Sequence, residues 1–144
     1  MIHDRLTGTV VPGEGRGKKL GFPTANLQLG HGQIQPPTGV FAGLARIAPV
    51  APFRARPVRN EPGRTADHYE AAIHIGPAPT FHDETYRIEV HLLDFDGGDL
   101  YGQPMTIELV KKIREIKKFN SEEELKAAIA DDCIEARAVL GKQG

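Results

Sequence analysis

Up to Pro104 the apolar residues fall in short runs that are β-branched or alternate with polar ones, and glycine or proline separates each run from the next. Alternation has the period of two of a pleated strand, not the 3.6 of a helix. The pattern predicts strands over residues 6–11, 40–47, 69–75 and 86–95, the last being the longest, and a further strand from 105 to about 113. Within 86–95, Ile88, Val90 and Leu92 share one face and read as core, while Arg87, Glu89 and His91 share the other. Residues 48–68 hold four prolines with Arg54, Arg56, Arg59 and Arg64 and no periodicity, as expected of an exposed hairpin loop. After Phe119 the pattern changes. Ser121-Glu122-Glu123-Glu124 fits a capping box, in which a Ser hydroxyl and a Glu three residues later satisfy free backbone N–H groups. Leu125, Ala128, Ile129, Asp132, Cys133, Ala136, Val139 and Leu140 then recur every three or four positions, a helical stripe interrupted only by Asp132 and stopped at Gly141. Such a helix is expected to pack on the outside or an open end of the β unit.

With 144 residues, the chain is expected to form one domain over 1–144. Of its 16 glycines and 11 prolines only Gly141 and Gly144 follow Pro104, which separates a β body from a helical tail. Eighteen Lys plus Arg against 19 Asp plus Glu give a net charge of −1, so no global basic field draws nucleic acid or an anionic membrane. No apolar run of membrane-spanning length exists, and Met1-Ile2-His3-Asp4-Arg5 is no signal peptide, so a cytoplasmic protein is expected. The single Cys133 sits in the helical stripe and reads as packing. The six histidines are too scattered to form a metal cluster.

Candidate chemistry begins at Gly13-Glu14-Gly15-Arg16-Gly17-Lys18-Lys19-Leu20-Gly21, four glycines and three cations after a strand. Backbone N–H groups of such a loop can face anionic oxygens while lysines neutralise phosphate, although a solvated basic turn has the same composition. It matches neither the Walker A loop nor the dinucleotide fingerprint. Next, Pro23-Thr24-Ala25-Asn26 sets Thr24 and Asn26 two apart. On extended backbone they point the same way and offer two neutral oxygens suited to Mg²⁺, whereas in a turn they would bond their own backbone. Glu89, in an apolar strand, is either half of a surface ion pair or a held carboxylate able to take a proton from a hydroxyl. His91 reads more simply as structural. Asp94-Phe95-Asp96-Gly97-Gly98-Asp99-Leu100-Tyr101-Gly102 lacks the spacing of an EF-hand loop and reads as a hairpin turn whose Tyr101 covers a ligand. Lys111, Lys112, Arg114, Lys117 and Lys118 form a basic run of the kind that usually makes a solvated face.

Taken in order, three blocks resemble the ATP-dependent riboflavin kinase family. The first is Gly13-Glu14-Gly15-Arg16-Gly17-Lys18-Lys19-Leu20-Gly21-Phe22-Pro23-Thr24-Ala25-Asn26-Leu27. The second joins Glu89-Val90-His91-Leu92-Leu93-Asp94-Phe95 to Asp99-Leu100-Tyr101-Gly102. The third is Ile113-Arg114-Glu115-Ile116-Lys117-Lys118-Phe119-Asn120-Ser121 with Asp131-Asp132 and Ala136-Arg137 in the helix after it. The resemblance covers nearly all of the chain except residues 48–68. It implies a mainly β fold, a six-stranded antiparallel Greek-key barrel with a C-terminal α-helix, and transfer of the γ-phosphoryl of ATP to the 5′-hydroxyl of riboflavin to form FMN. It also implies Thr24 and Asn26 as ligands of Mg²⁺ (with Zn²⁺ or Mn²⁺ as alternatives) and of nucleotide phosphate. Glu89 would be the base facing the ribityl hydroxyl, and Gly13 with Lys18 or Lys19 would lie against the phosphates. His91, Asp94 and Tyr101 would border the nucleotide, and Arg114 and Phe119 would lie beside the flavin.

Many bacterial members of that family read Asn-Ile-Gly-x-Arg-Pro-Thr-Phe where this chain has His74-Ile75-Gly76-Pro77-Ala78-Pro79-Thr80-Phe81. Such kinases are also commonly the C-terminal half of an enzyme that adenylylates FMN. Nothing precedes the kinase block here, so FMN formation without FAD synthesis is the expectation. The expected partners are ATP/ADP and riboflavin/FMN, with no nucleic acid and no membrane. Two other readings remain at this point. One is a catalytically silent flavin- or nucleotide-binding barrel. The other is an OB-like nucleic-acid barrel using Arg16, Lys18, Lys19 and the later basic run, which the near-zero charge and the absence of Trp weaken.

Overall fold

The computed structural model describes residues 4–11, 24–29, 37–47, 68–77, 86–94 and 100–143. Gly13, Lys18, Lys19, Ala78, residues 48–67 and the Gly97-Gly98 turn lie outside these residues. Six strands run β1 (Asp4–Val11), β2 (Thr24–Leu29), β3 (Gly39–Ile47), β4 (His68–Pro77), β5 (Tyr86–Leu92) and β6 (Pro104–Arg114), followed by helix α1 (Glu122–Gln143). All pair antiparallel and close into a barrel in the order β1-β2-β5-β4-β3-β6. Because β3, β4 and β5 are successive neighbours and β6 returns beside β3, the connectivity is a Greek key.

The alternation predicted from sequence decides which side of each strand faces in. Leu6 and Val10, Ala25 and Leu27, Phe41 and Ala45, Ala71, Ile73 and Ile75, Ile88, Val90 and Leu92, and Met105, Ile107 and Leu109 fill the interior. This packed interior leaves the chemistry-bearing residues on the outer face. Two strands differ from their expected bounds for local reasons. Residues 24–29, left open between strand and turn by the sequence, are strand: Ala25 and Leu27 alternate into the core. Strand β5 stops at Leu92 because Asp94 adopts a left-handed φ of 60°, so β6, at 11 residues, is the longest strand.

Strand β3 must approach β6 closely. A Cβ on Gly43 would collide with the Glu108 carbonyl oxygen and stand 2.7 Å from Ile73 Cδ1. Register shifts in β6 opposite β3 then turn Val110 and Ile113 outward. There they meet Ala42, Ala72, Leu93 and the helical Ala136 and Leu140, so α1 lies on the outside of the barrel. The helix begins as its sequence predicts. Ser121 Oγ accepts from the Glu124 N–H at 3.1 Å, and Glu124 Oε1 accepts from the Asn120 N–H at 3.3 Å, one residue upstream of the usual capping-box donor. It does not end as predicted: α1 continues through Gly141 to Gln143, since Gly141 does not take the positive φ that would turn the chain out of the helix.

Gly43→Ala is expected to lower the unfolding free energy by about 2 kcal/mol, the usual scale for overpacking. Gly141→Ala, with nothing within 4 Å of the added methyl, should raise it by up to ~1 kcal/mol through helix propensity. Urea unfolding of the two variants checks both signs.

Candidate active site

The pairing register assembles the site. In β2, Thr24 and Asn26 alternate with the buried Ala25 and Leu27 and therefore face outward, as do Glu89 and His91 in β5. Thr24 lies opposite His91, and Asn26 opposite Glu89. On its other edge β5 places Glu89 opposite His74 and His91 opposite Ala72. Four residues singled out from sequence thus occupy two adjacent cross-strand pairs. A fifth residue, His74, noticed in the sequence only as a difference from a family pattern, completes the row Asn26, Glu89, His74.

Directly opposed side chains on neighbouring strands have Cβ atoms roughly 5 Å apart, close enough for these groups to act on one substrate atom or its neighbours. Thr24 Oγ1 and His91 Nδ1 are 2.9 Å apart. His91 is buried, and burial followed by the influence of His74 pushes its pKa down to about 3. The ring is therefore neutral near pH 7. The tautomer of the neutral ring decides which of the two groups donates in this bond. His74 is 6% exposed, and neither of its ring nitrogens has a hydrogen-bond partner. Burial and then the Arg114 guanidinium push its pKa down to about 4.

Asp94, Arg114 and Phe119 are engaged by the helix. Arg114 donates from Nε to Asp132 Oδ1 and from a terminal nitrogen to Asp132 Oδ2, both at 2.8 Å, and its other terminal nitrogen donates to the Glu115 carbonyl at 2.9 Å. Its guanidinium lies 5.7 Å from the centroid of Phe119, which is buried with Leu125 and Ile129. The interruption at Asp132 in the apolar stripe is thereby accounted for: it is the buried anion that receives Arg114, which does not belong to a solvated face. The second tie joins Arg137 to both oxygens of Asp94, at 2.8 and 3.3 Å. Sequence reasoning did not find either pairing. The available signal was an acid inside an apolar stripe following a cluster of cations. Cys133 behaves as packing, its thiol pushed up to about 11 chiefly by burial.

Tyr101 is half exposed at the tip of a turn closed by Gln103 N–H donating to the Leu100 carbonyl, with Gly102 at φ 83° as a type II turn requires. The Gly102 N–H donates to the Val10 carbonyl at 2.7 Å, and the Val10 N–H donates to the Gln103 carbonyl at 3.0 Å. Tyr101 is thus fixed beside the end of β1, where the chain enters the Gly13–Gly21 segment. Among the described residues no group of three or more His, Cys, Asp or Glu could hold a metal. A divalent ion at Thr24 and Asn26 would need oxygens from substrate phosphate and water, the donor set that suits Mg²⁺.

A family model described as riboflavin kinase matches residues 3–140. The bifunctional riboflavin kinase/FMN adenylyltransferase of Bacillus subtilis is 37% identical over 134 residues, which are 91% of this chain and 37% of that protein. The chain therefore spans well under half the length of the curated relatives it matches. Among solved structures, a riboflavin kinase from Trypanosoma brucei superposes with a TM-score of 0.61 at 26% identity, covering 99% of this chain and 82% of that one. A macrolide-efflux protein from Streptococcus pneumoniae superposes with a TM-score of 0.71 at 29% identity, covering 92% of this chain and 38% of that one. Among the described residues no helix is long and apolar enough to cross a membrane.

Asp132→Ala strands the three-quarters-buried Arg114 charge and should cost about 3 kcal/mol of stability. Arg137→Ala breaks a pair whose side chains are 52% and 65% exposed and should cost under about 1 kcal/mol. Denaturant unfolding measures the difference. The depressed histidines also set the acid sensitivity. Below the ordinary histidine pKa of 6.5 the unfolded chain takes up protons that folded His74 and His91 refuse until about pH 4 and about pH 3. Stability should therefore fall as pH drops through that window, His74 accounting for about 3 kcal/mol. His74→Asn should flatten the pH dependence of unfolding between 6.5 and 4 by that amount.

Proposed function

The chain belongs to the riboflavin kinase family, and from that premise we propose that it transfers the γ-phosphoryl of ATP to the 5′-hydroxyl of riboflavin, forming FMN and ADP. The observation that carries this reading is the outward row in which Glu89 stands directly between Asn26 and His74, two residues along β5 from the Thr24–His91 pair. Phosphoryl transfer depends mainly on positioning and charge neutralisation. The row offers a carboxylate for the acceptor proton beside neutral oxygens for the phosphate end.

In this reading Glu89 accepts the proton of the 5′-hydroxyl as its oxygen attacks the γ-phosphorus and the bond to the β-phosphate oxygen breaks. Thr24 and Asn26 hold the nucleotide end through their oxygens, and His91 keeps the Thr24 hydroxyl oriented. A Mg²⁺ ion (or Zn²⁺ or Mn²⁺) held there with phosphate oxygens would supply neutralisation of the developing charge. Gly13 and Lys18 or Lys19 cradle the phosphates. Tyr101 borders the nucleotide, and so does Asp94, which its bond to Arg137 fixes in place. Arg114 and Phe119, locked by Asp132 and the helix, form a rigid edge beside the flavin. Residues 1–144 act as one kinase domain in the cytoplasm.

Purified protein with riboflavin and Mg-ATP should yield FMN on chromatography. Tight flavin binding without FMN under any divalent metal would instead make the barrel a silent binding module. Strong salt-dependent oligonucleotide binding in place of both would make it a nucleic-acid barrel. Glu89→Gln should lower turnover by roughly 10² to 10⁴ and leave nucleotide affinity largely unchanged. An unaltered rate would return Glu89 to the role of an ordinary surface carboxylate.

A further inference from the structure

The corner that ends β5 is held more firmly than its place on the surface requires. Asp94 has a φ of 60° and is the one non-glycine residue with a positive φ among the described residues. An L-residue enters that region at a steric cost, smaller for aspartate than for most side chains. Its surroundings keep it there. Leu93, just before it, is buried under α1 with Ala136 and Leu140. The Leu93 N–H donates to the Glu70 carbonyl at 2.9 Å, one step past the last β4–β5 ladder pair, Ala71 with Leu92. Arg137, the residue after Ala136, then donates from both terminal nitrogens to the Asp94 carboxylate, at 2.8 and 3.3 Å, and Glu70 adds to the attraction on its guanidinium. Strained backbone held from several sides recurs where the shape itself is put to use.

The position of the corner indicates which substrate uses it. Thr24, the first residue of β2, opposes His91, and Val11, the last of β1, opposes Asn26. The ends of β1 and β5 and the starts of β2 and β6 therefore share one end of the barrel, where the Gly102 N–H meets the Val10 carbonyl. The chain between Val11 and Thr24, with its glycines and cations, leaves and returns at this end. So does the connection from Asp94 to Leu100, fixed at its departure by Arg137 and just after its return by Val10. Arg114, the last residue of β6, lies at the opposite end. A ligand whose phosphates rest on Thr24 and the Gly13–Gly21 cations thus meets the Asp94 corner, and a ring at the Arg114 end does not. Both Asp94 oxygens already receive guanidinium N–H groups, so the corner serves such a ligand chiefly by its shape.

We propose that Arg137 is a positioning residue for the nucleotide: from α1 it holds the Asp94 corner in the shape that borders ATP, and so sets the affinity for ATP but not for riboflavin. This rests on the kinase reading above and adds to it a helix residue that acts through Asp94 and not by contact with either substrate.

The test measures MgADP binding by calorimetry, riboflavin binding by flavin fluorescence quenching, and the KM of each substrate. Arg137→Ala should raise the Kd for MgADP and the KM for ATP about threefold to fivefold, the worth of an exposed bridge expressed as affinity. It should leave riboflavin binding and the KM for riboflavin unchanged. Arg137→Lys, which keeps the charge without the fork, should recover part of the loss. Ser121→Ala removes the cap at the other end of α1; it should weaken the helix to a similar degree and leave MgADP affinity unchanged. In the unmodified protein, solvent exchange of the Arg137 guanidinium protons should slow on adding MgADP and not on adding riboflavin, as reciprocity between linked sites requires. An Arg137→Ala protein that binds MgADP as tightly as wild type, or that loses MgADP and riboflavin affinity in equal measure, overturns the assignment. So does an equal loss in Ser121→Ala, or guanidinium exchange indifferent to MgADP, while FMN formation by the wild-type protein stands. A wild-type protein that neither binds MgADP nor makes FMN removes the kinase reading and this assignment together.

Discussion

The site depends first on the register between β2, β5 and β4. Side chains alternate faces with a period of two, so a slip of one residue in any of these strands would turn its own polar members of the row (Thr24 and Asn26, Glu89 and His91, or His74) into the barrel and expose its apolar ones. The penalty for that exchange is the loss of the interior packing. The apolar interior therefore holds the polar row in alignment. Closure strengthens the constraint, because each strand has two neighbours and none can slide without breaking ladders on both edges.

The helix contributes rigidity at the opposite end of the row. Its apolar stripe covers the outer faces of β3, β4 and β6, and two Arg–Asp bridges fasten it to the ends of strands. Asp132 receives the last residue of β6, and Arg137 grips the turn that ends β5. These bridges differ in kind. The buried Asp132 with its bidentate Arg114 fixes geometry and leaves a costly charge if broken, whereas the exposed Arg137–Asp94 pair is screened by solvent and acts mainly to orient the turn. Each bridge uses a residue, Asp94 or Arg114, for which the family resemblance implies ligand contact, so the proposed ligand-facing edge and the docking of the helix share side chains.

Most of the fold was legible because it is written in periodicity. The alternation of Ile88, Val90 and Leu92, the helical spacing from Leu125 to Leu140 and the Ser121 cap each describe a local rule that the barrel obeys. The candidate residues could be named from the sequence, but not their arrangement. Nothing in the spacing between Asn26 and Glu89 says that they oppose one another across a ladder, since strand pairing is long-range. Thr24–Leu29 escaped recognition as a strand because its polar half carries the signals of a turn. His74 escaped because its burial and its place beside Glu89 come from neighbours on other strands, which a single sequence does not display.

The charge state of the row bears on the role proposed for Glu89. Imidazolium at His74 or His91 would stabilise a neighbouring carboxylate in its charged form and make it a poorer proton acceptor. Burial keeps both rings neutral, and Arg114 reinforces this at His74. Arg114, Arg137 and Lys112 are meanwhile committed to Asp132, Asp94 and Glu115. The positive charge that a triphosphate requires must then come from elsewhere, and the proposed sources are the lysines of the Gly13–Gly21 segment and a divalent ion at Thr24 and Asn26. In the proposed arrangement, base and phosphate neutralisation are thereby separated along one strand pair, with the cations at the opposite end of the row from Glu89.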